Sequence, residues 1–171
     1  MTISRDYKNV GVLAMCQALF MSGLSMQIIL SGLVGAAIAE DKALATLPIS
    51  AVIIASTLTT IPASLLMKRI GRRAGFILGA LIGLTGAAVA CYALIISSFW
   101  LFCFGMFIFG INAGFAQYYR FAAADVAQDH FKSRAISWVI SGGIVAALLG
   151  PELAKRTHDL AAGTPFVGAY A

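Results

Sequence analysis

Amide, hydroxyl and phenol side chains interrupt the long apolar runs of this sequence at a few positions. The ones that could bind a polar solute are Gln17, Gln27, Ser31, Asn112, Gln117 and Tyr119. On a helix, Gln17, Gln27 and Ser31 fall within an arc of about 80°. Asn112 and Tyr119 are seven residues apart and nearly eclipsed if one helix continues through both. Unpartnered amides are costly in lipid, so these side chains are expected to face protein or water.

Residues that carry enzymatic or metal chemistry are few. The two histidines, His130 and His158, lie in predicted loops on opposite sides of the membrane, which excludes a triad or metal cluster between them. The three cysteines, Cys16, Cys91 and Cys103, lie in apolar runs without a C-x-x-C pair. They are interpreted as small buried apolar residues. The sequence therefore predicts no enzyme, no metal and no cofactor.

The composition predicts an all-α integral membrane protein. Of 171 residues, 60% are hydrophobic and only 11% are charged. The net charge of +5 does not indicate nucleic acid, because the cations are confined to the ends of apolar runs and form no basic stripe. The lipid bilayer is the expected partner instead.

Apolar runs long enough to cross a bilayer predict five membrane spans. The run 74–119 is about twice the length that one crossing needs, so it must fold back, and Ser97 and Ser98 provide the polar break. A sixth span is predicted to begin at 164 with Pro165 near its start. The five complete spans are placed at about 10–38, 44–67, 74–96, 99–121 and 134–154.

Cations on alternate sides of these spans predict the orientation. The side that includes the amino terminus carries more of them, and the positive-inside bias places that side in the cytoplasm. This side holds Arg5, Lys8, Lys68, Arg69, Arg72, Arg73, Arg120, Lys132 and Arg134, and the other holds Lys42, Lys155 and Arg156.

The cationic hairpin, defined as residues 68–73, resembles the loop between helices 2 and 3 of the major facilitator superfamily. Arg69, Gly71, Arg72 and Arg73 match its pattern G-x-x-x-D-[RK]-x-G-[RK]-[RK]. Ser64 stands at its first glycine and Lys68 at its aspartate. The resemblance implies a gating role for Lys68, Arg69, Gly71, Arg72 and Arg73, and Lys68 cannot make the contact between the two halves that the family's aspartate makes.

The stretch 110–151 resembles helix 4, the next loop and helix 5 of the same family. It includes Gly110, Gly114, Asp125, Gly150 and Pro151. Met106 replaces an arginine common in that helix 4, and Ser137 and Ala146 replace two glycines of a motif typical of antiporters. The family has two six-helix halves. The resemblance implies that 1–171 is an incomplete amino-terminal six-helix domain whose partner is a missing carboxy-terminal half.

The resemblance also implies that helices 1 and 4 line a central cavity. Solute contact is accordingly predicted for Gln17, Gln27, Asn112, Gln117 and Tyr119. The alternative for each is a hydrogen bond that bridges two helices. Amides and phenols suit a neutral or aromatic, polyol-like solute. Arg120 either reaches an anionic group, pairs with Asp125 or anchors the helix end at the interface.

Small residues spaced by four predict close helix packing. They are Ala51, Ala55, Thr59 and Ala63 in the second span, Gly75, Gly79, Gly83 and Ala87 in the third, Gly110 and Gly114 in the fourth, and Gly142, Ala146 and Gly150 in the fifth.

Two functions from different classes fit these features. The first is transport of a small solute by alternating access, with this chain as the amino-terminal part of a full-length carrier. The alternative is a small membrane protein, complete in itself, that acts as a structural or assembly partner. No ring of charge indicates a pore, and no carboxylate lies deep in a span, so coupling to an ion is not predicted from this chain.

Overall fold

A computed structural model describes residues 2–38, 44–126 and 132–157, and within these ranges the regular elements are helices with no strand. The helices are α1 (Thr2–Ile38), α2 (Leu47–Ile70), α3 (Arg72–Ile95), α4 (Phe99–Ala116), α5 (Tyr119–Val126) and α6 (Lys132–Thr157).

Four stretches of the described residues are long and apolar enough to cross a membrane: Val10–Ile28, Leu47–Ile70, Arg72–Ile95 and Phe99–Asp125. They correspond to the first four predicted spans. The predicted span 134–154 lies inside helix α6 but is not one of these four stretches. The predicted sixth span, from 164, lies outside the described residues. The all-helical class is confirmed, and a count of five spans plus a sixth stays a prediction.

The cationic hairpin is tighter than a loop. Helix α2 continues through Lys68 and Arg69 to Ile70, and α3 begins at Arg72, so Gly71 alone makes the turn. Its φ of 87° and ψ of 152° lie in a region that residues with a Cβ rarely adopt. The Gly71 N–H donates to the Met67 carbonyl at 3.0 Å and closes α2. The second span was predicted to end at 67 and the third to begin at 74, and these bounds are corrected to Ile70 and Arg72. The helices extend into the cationic hairpin because lysine and arginine are good helix formers.

Helix α3 folds back into α4 through a two-hydrogen-bond cap at Ser97 and Ser98. The Ser98 N–H donates to the Ala93 carbonyl at 2.9 Å, and the Ser97 N–H donates to the Leu94 carbonyl at 3.1 Å. This is a Schellman cap, and Ser97 holds the left-handed position with φ of 52°. The predicted fold-back at these serines is confirmed.

The predicted span 99–121 is not one unbroken helix, because its backbone changes geometry near the carboxy-terminal end. Helix α4 stops at Ala116, and the Tyr118 N–H donates to the Phe115 carbonyl three residues back at 3.0 Å. This tighter turn precedes α5, which restarts at Tyr119. The sequence holds no proline or glycine at 117–118 to indicate the break.

Helix α4 lies between α2 and α3 and packs closely on both. A Cβ added at Gly110 would lie 2.6 Å from the Val52 carbonyl oxygen of α2. One added at Gly86 of α3 would lie 2.6 Å from the Phe109 backbone nitrogen of α4. The predicted packing role of the small residues is confirmed at Gly110, and Gly86 extends it to a glycine outside the predicted ridges.

Helix α1 pairs mainly with α6 and makes far fewer contacts with α2 and α4. The Ser22 hydroxyl donates to the Ala146 carbonyl of α6 at 2.9 Å. Nearer the amino-terminal end of α1, Val10 joins Tyr119, Ala123, Ala135 and Val139 in a buried cluster with α5 and α6. The described helices thus form two blocks, α2–α3–α4 and α1–α6, with α5 between them at one end.

Candidate functional site

A cleft lies where the two blocks meet, between α1, α2 and α4, and we name it the α1–α2–α4 cleft. Its volume is about 150 Å³. Its lining is largely apolar with a few amide and hydroxyl groups: Phe20, Leu24, Gln27, Ile28, Ser31, Ile49, Val52, Ile53, Ser56, Met106, Ala113 and Gln117. The mixture of apolar walls and a few polar groups is typical of small-molecule sites, although the volume is below their usual range of about 300–1,000 Å³, so the cleft encloses only part of a ligand of that size.

Gln27 is the distinctive polar residue of the α1–α2–α4 cleft. Its side chain is only 7% exposed, and its Oε1 is buried with no hydrogen-bond partner among the described residues. The two hydroxyls nearby are already used, since Ser31 donates to the Ile28 carbonyl at 3.2 Å and Ser56 donates to the Ile53 carbonyl at 2.9 Å. An unpaired buried acceptor costs about 1–3 kcal/mol, so a solute that donates to it gains affinity.

Gln117 lies at the α4 side of the same cleft and is exposed. Its Oε1 accepts a hydrogen bond from the Arg120 guanidinium at 3.0 Å. Arg120 is also exposed and lies 5.3 Å from the centre of the Phe121 ring. Of the three expectations for Arg120, pairing with Asp125 is wrong, because Asp125 pairs with Arg72 instead.

The other three predicted solute-contact residues lie away from this cleft. Gln17 is on the α1–α6 side, where its Cγ lies 3.3 Å from a Cβ built at Gly143. Asn112 packs against Gly83 of α3. Tyr119 is buried, and its ring centre lies 4.7 Å from that of Phe76. The structure therefore brings Gln27 and Gln117 to one cleft and separates Gln17, Asn112 and Tyr119 from it.

Several lining residues were not singled out from the sequence as solute contacts. Phe20 and Met106 are apolar residues in apolar runs and carry no signal of their own. Ser56 lies one residue beside the predicted ridge of small residues in α2, and its small, polar side chain was the available clue. Within the described ranges, no group of three His, Cys, Asp or Glu residues is close enough to hold a metal.

The cationic hairpin forms part of a second, wider pocket of about 570 Å³ at the α2–α3 turn. Lys68 and Arg72 line it beside Tyr118, Phe121 and Asp125. The Arg72 guanidinium forms an ion pair with the Asp125 carboxylate, and the Tyr118 hydroxyl donates to the Thr60 carbonyl at 2.8 Å. The turn between α2 and α3 is thus connected through side chains to α5.

Comparison with known proteins decides the family. The model of the Major Facilitator Superfamily matches residues 13–156. The chain belongs to this superfamily. The cationic hairpin and the stretch 110–151 predicted membership of this superfamily, and that prediction is confirmed.

Two curated proteins are similar to this chain. The riboflavin transporter RfnT of Brucella anthropi is 41% identical over 163 residues, which cover 95% of this chain and 41% of that protein. The uncharacterized MFS-type transporter YddS of Bacillus subtilis is 25% identical over 154 residues, 90% of this chain and 35% of that protein. The chain thus spans about two-fifths of the length of these relatives. No solved structure matches the sequence.

Proposed function

We propose that this chain forms part of a permease that moves a small neutral solute across a bacterial inner membrane by alternating access. The superfamily match and the similarity to a riboflavin transporter support it. That relative also supports riboflavin or a closely related heteroaromatic polyol as the solute. This is the aromatic, polyol-like class that the amides and phenols of the sequence predict.

The proposed architecture is one six-helix half of such a permease. Residues 1–171 would supply five spans and the start of a sixth, with the amino terminus in the cytoplasm, and the other half would come from a further segment. The proportion of the relatives that this chain matches agrees with the arrangement. Solute sites of secondary transporters lie near the membrane midplane, and Gln27 lies near the middle of the predicted first span.

Solute contact is proposed for Gln27 and Gln117, because they lie at one cleft. For Gln17, Asn112 and Tyr119, we propose a role in holding helices together, since each packs against a neighbouring helix. The cationic hairpin, with Lys68, Arg69, Gly71, Arg72 and Arg73, is proposed as the gating segment. Its ion pair from Arg72 to Asp125 gives it a contact that can break and reform.

The single observation that carries the solute proposal is the Oε1 of Gln27, which has no hydrogen-bond partner among the described residues and lies in a largely apolar cleft. The riboflavin ring is flat, has one apolar dimethylbenzene end, and carries one imide N–H donor at its polar end. That N–H would satisfy the acceptor while the ring contacts Phe20 and Met106. A phosphate group would find no cation among the cleft-lining residues.

The test is uptake of radiolabelled riboflavin into proteoliposomes that contain the full permease. Saturable uptake that unlabelled riboflavin inhibits would support the proposal. Flavin mononucleotide, which carries a phosphate, should compete at least about tenfold less well, because one unpaired charge in an apolar site costs more than about 1.4 kcal/mol. No uptake above empty liposomes would contradict the proposal.

A further inference from the structure

A groove separate from the α1–α2–α4 cleft lies between α1, α3 and α5, and we name it the α1–α3 groove. Its volume is about 680 Å³. Val12 and Leu13 of α1 form one wall, and Phe76, Ile77 and Ala80 of α3 form the other. Val12, Ile77 and Ala80 are exposed along it. The walls are therefore apolar, and a soluble ion would gain no favourable interaction by contacting them.

One end of the α1–α3 groove is cationic. Arg72 and Arg73, in the first turn of α3, line this end, and Ala80 lines the groove eight residues further along. At 1.5 Å per residue, about 12 Å of helix separates the guanidinium end from Ala80. The Asp125 carboxylate pairs with Nη2 of Arg72, but Nη1 is buried without a hydrogen-bond partner among the described residues. Arg73 is exposed.

We propose that the α1–α3 groove binds an anionic phospholipid, with the phosphate at Arg72 and Arg73 and an acyl chain along Phe76, Ile77 and Ala80. Two features of the groove favour this ligand together: a cationic end matches a phosphate, and an apolar extension of about 12 Å matches a hydrocarbon chain. Anionic lipids are abundant in the cytoplasmic leaflet, where basic pockets between spans bind their headgroups. The inference rests on the proposed cytoplasmic orientation of the cationic hairpin and is independent of the solute.

The test compares two arginines of the same hairpin. The purified full permease in neutral detergent is titrated with phosphatidylglycerol, phosphatidylcholine or inorganic phosphate, and thermal unfolding is followed. Arg73→Gln removes a groove cation, whereas Arg69→Gln removes an equal charge that does not line the groove. Phosphatidylglycerol should stabilise the wild type and Arg69→Gln alike, with about fivefold weaker apparent affinity in Arg73→Gln, since one cation near the surface contributes about 1 kcal/mol.

Three outcomes would overturn the inference. Equal weakening in both variants would indicate general attraction to charge. Equal stabilisation by inorganic phosphate would indicate an anion site without a lipid. Cross-linking identifies the occupant directly: a photoreactive amino acid in place of Ile77 should form an adduct with phosphatidylglycerol in membranes. A cross-link to another span of the permease in place of that adduct would show that protein fills the groove.

Discussion

Asp125 on the short helix α5 forms an ion pair with Arg72, the first residue of α3, and the two side chains are 59% and 41% exposed. Water and salt screen a pair of this exposure, so it contributes little to stability. The ion pair connects the turn between α2 and α3 to α5, the short helix that lies between the two blocks. A contact of this strength suits a gate better than a permanent clamp.

The weakness of this ion pair can be measured. In a double-mutant cycle of Arg72→Gln and Asp125→Asn, the coupling free energy should be about 0.2–1 kcal/mol at low salt. It should fall further in about 1 M salt, where the screening length is near 3 Å. Chemical unfolding of the purified permease provides the free energies. Arg69→Gln combined with Asp125→Asn is the control and should show no coupling. A coupling above about 2 kcal/mol would refute the gate interpretation.

The Gln27 acceptor predicts how the permease discriminates between solutes. Wild-type permease should prefer riboflavin over an analogue methylated at the imide nitrogen, because only riboflavin can donate to Oε1. Gln27→Met removes the acceptor at similar volume, and riboflavin uptake should fall about 3–10-fold, the equivalent of one hydrogen bond. The preference for riboflavin over the methylated analogue should largely disappear. Gln17→Met, on the α1–α6 side, should keep that preference. An unchanged preference in Gln27→Met would leave riboflavin transport standing and exclude this residue.

Two glycines predict opposite effects of the same substitution on stability. Gly86→Ala places a Cβ 2.6 Å from the Phe109 backbone nitrogen, so α3 and α4 must separate, at a cost of about 1–3 kcal/mol. Gly23→Ala in α1 meets nothing within 4 Å and should stabilise by up to about 1 kcal/mol through helix propensity. Thermal unfolding in detergent measures both. Loss of stability in both variants alike would show that α1 is more crowded than described.

The two turns at the ends of α3 predict another pair of opposite effects. Gly71→Ala forces a Cβ into a conformation with φ of 87° and should destabilise by about 1–3 kcal/mol. Ser97→Gly relieves a residue with φ of 52° and should stabilise by about 1 kcal/mol. Both positions are exposed, so packing contributes little to the comparison. Chemical unfolding curves with unchanged slopes would provide the values. A stabilising Gly71→Ala would contradict the hairpin geometry.

The same two ends report sidedness. Ile70 is 47% exposed at the end of α2, and Ser97 is exposed beyond the opposite end of α3. In a variant with Cys16, Cys91 and Cys103 replaced by alanine, Ile70→Cys should react with a membrane-impermeant maleimide only in inside-out vesicles. Ser97→Cys should react only in right-side-out vesicles. Reversed labelling would invert the proposed orientation and remove the cytoplasmic setting of the α1–α3 groove.

The helices were predictable because apolar length and turn chemistry are local properties of the sequence. The apolar runs on either side of Ser97 and of the cationic hairpin predicted the bounds of α2, α3 and α4 to within a few residues. The break at 117–118 was not predictable, because no proline or glycine occurs there. It arises from a tighter backbone turn, in which the Tyr118 N–H reaches the Phe115 carbonyl.

The candidate site was predictable in residue type and less so in grouping. Gln27 was identifiable because an amide in an apolar run needs a partner. Asn112 satisfied the same criterion, yet it packs on Gly83, since α4 contacts helices on two sides and a polar residue can face either. The pairing of Gln27 with Gln117 depended on where α1 meets α4, which no local pattern specifies.

The pairing of α1 with α6 has a consequence for synthesis. The Ser22 hydroxyl bonds to a carbonyl 124 residues later in the chain. A ribosome that adds about 5–20 residues per second needs roughly 6–25 seconds to cover that distance. During this interval the first helix enters the bilayer before its main neighbour exists, while α2, α3 and α4 can assemble from adjacent segments. We therefore expect α1 to join the bundle late in biogenesis.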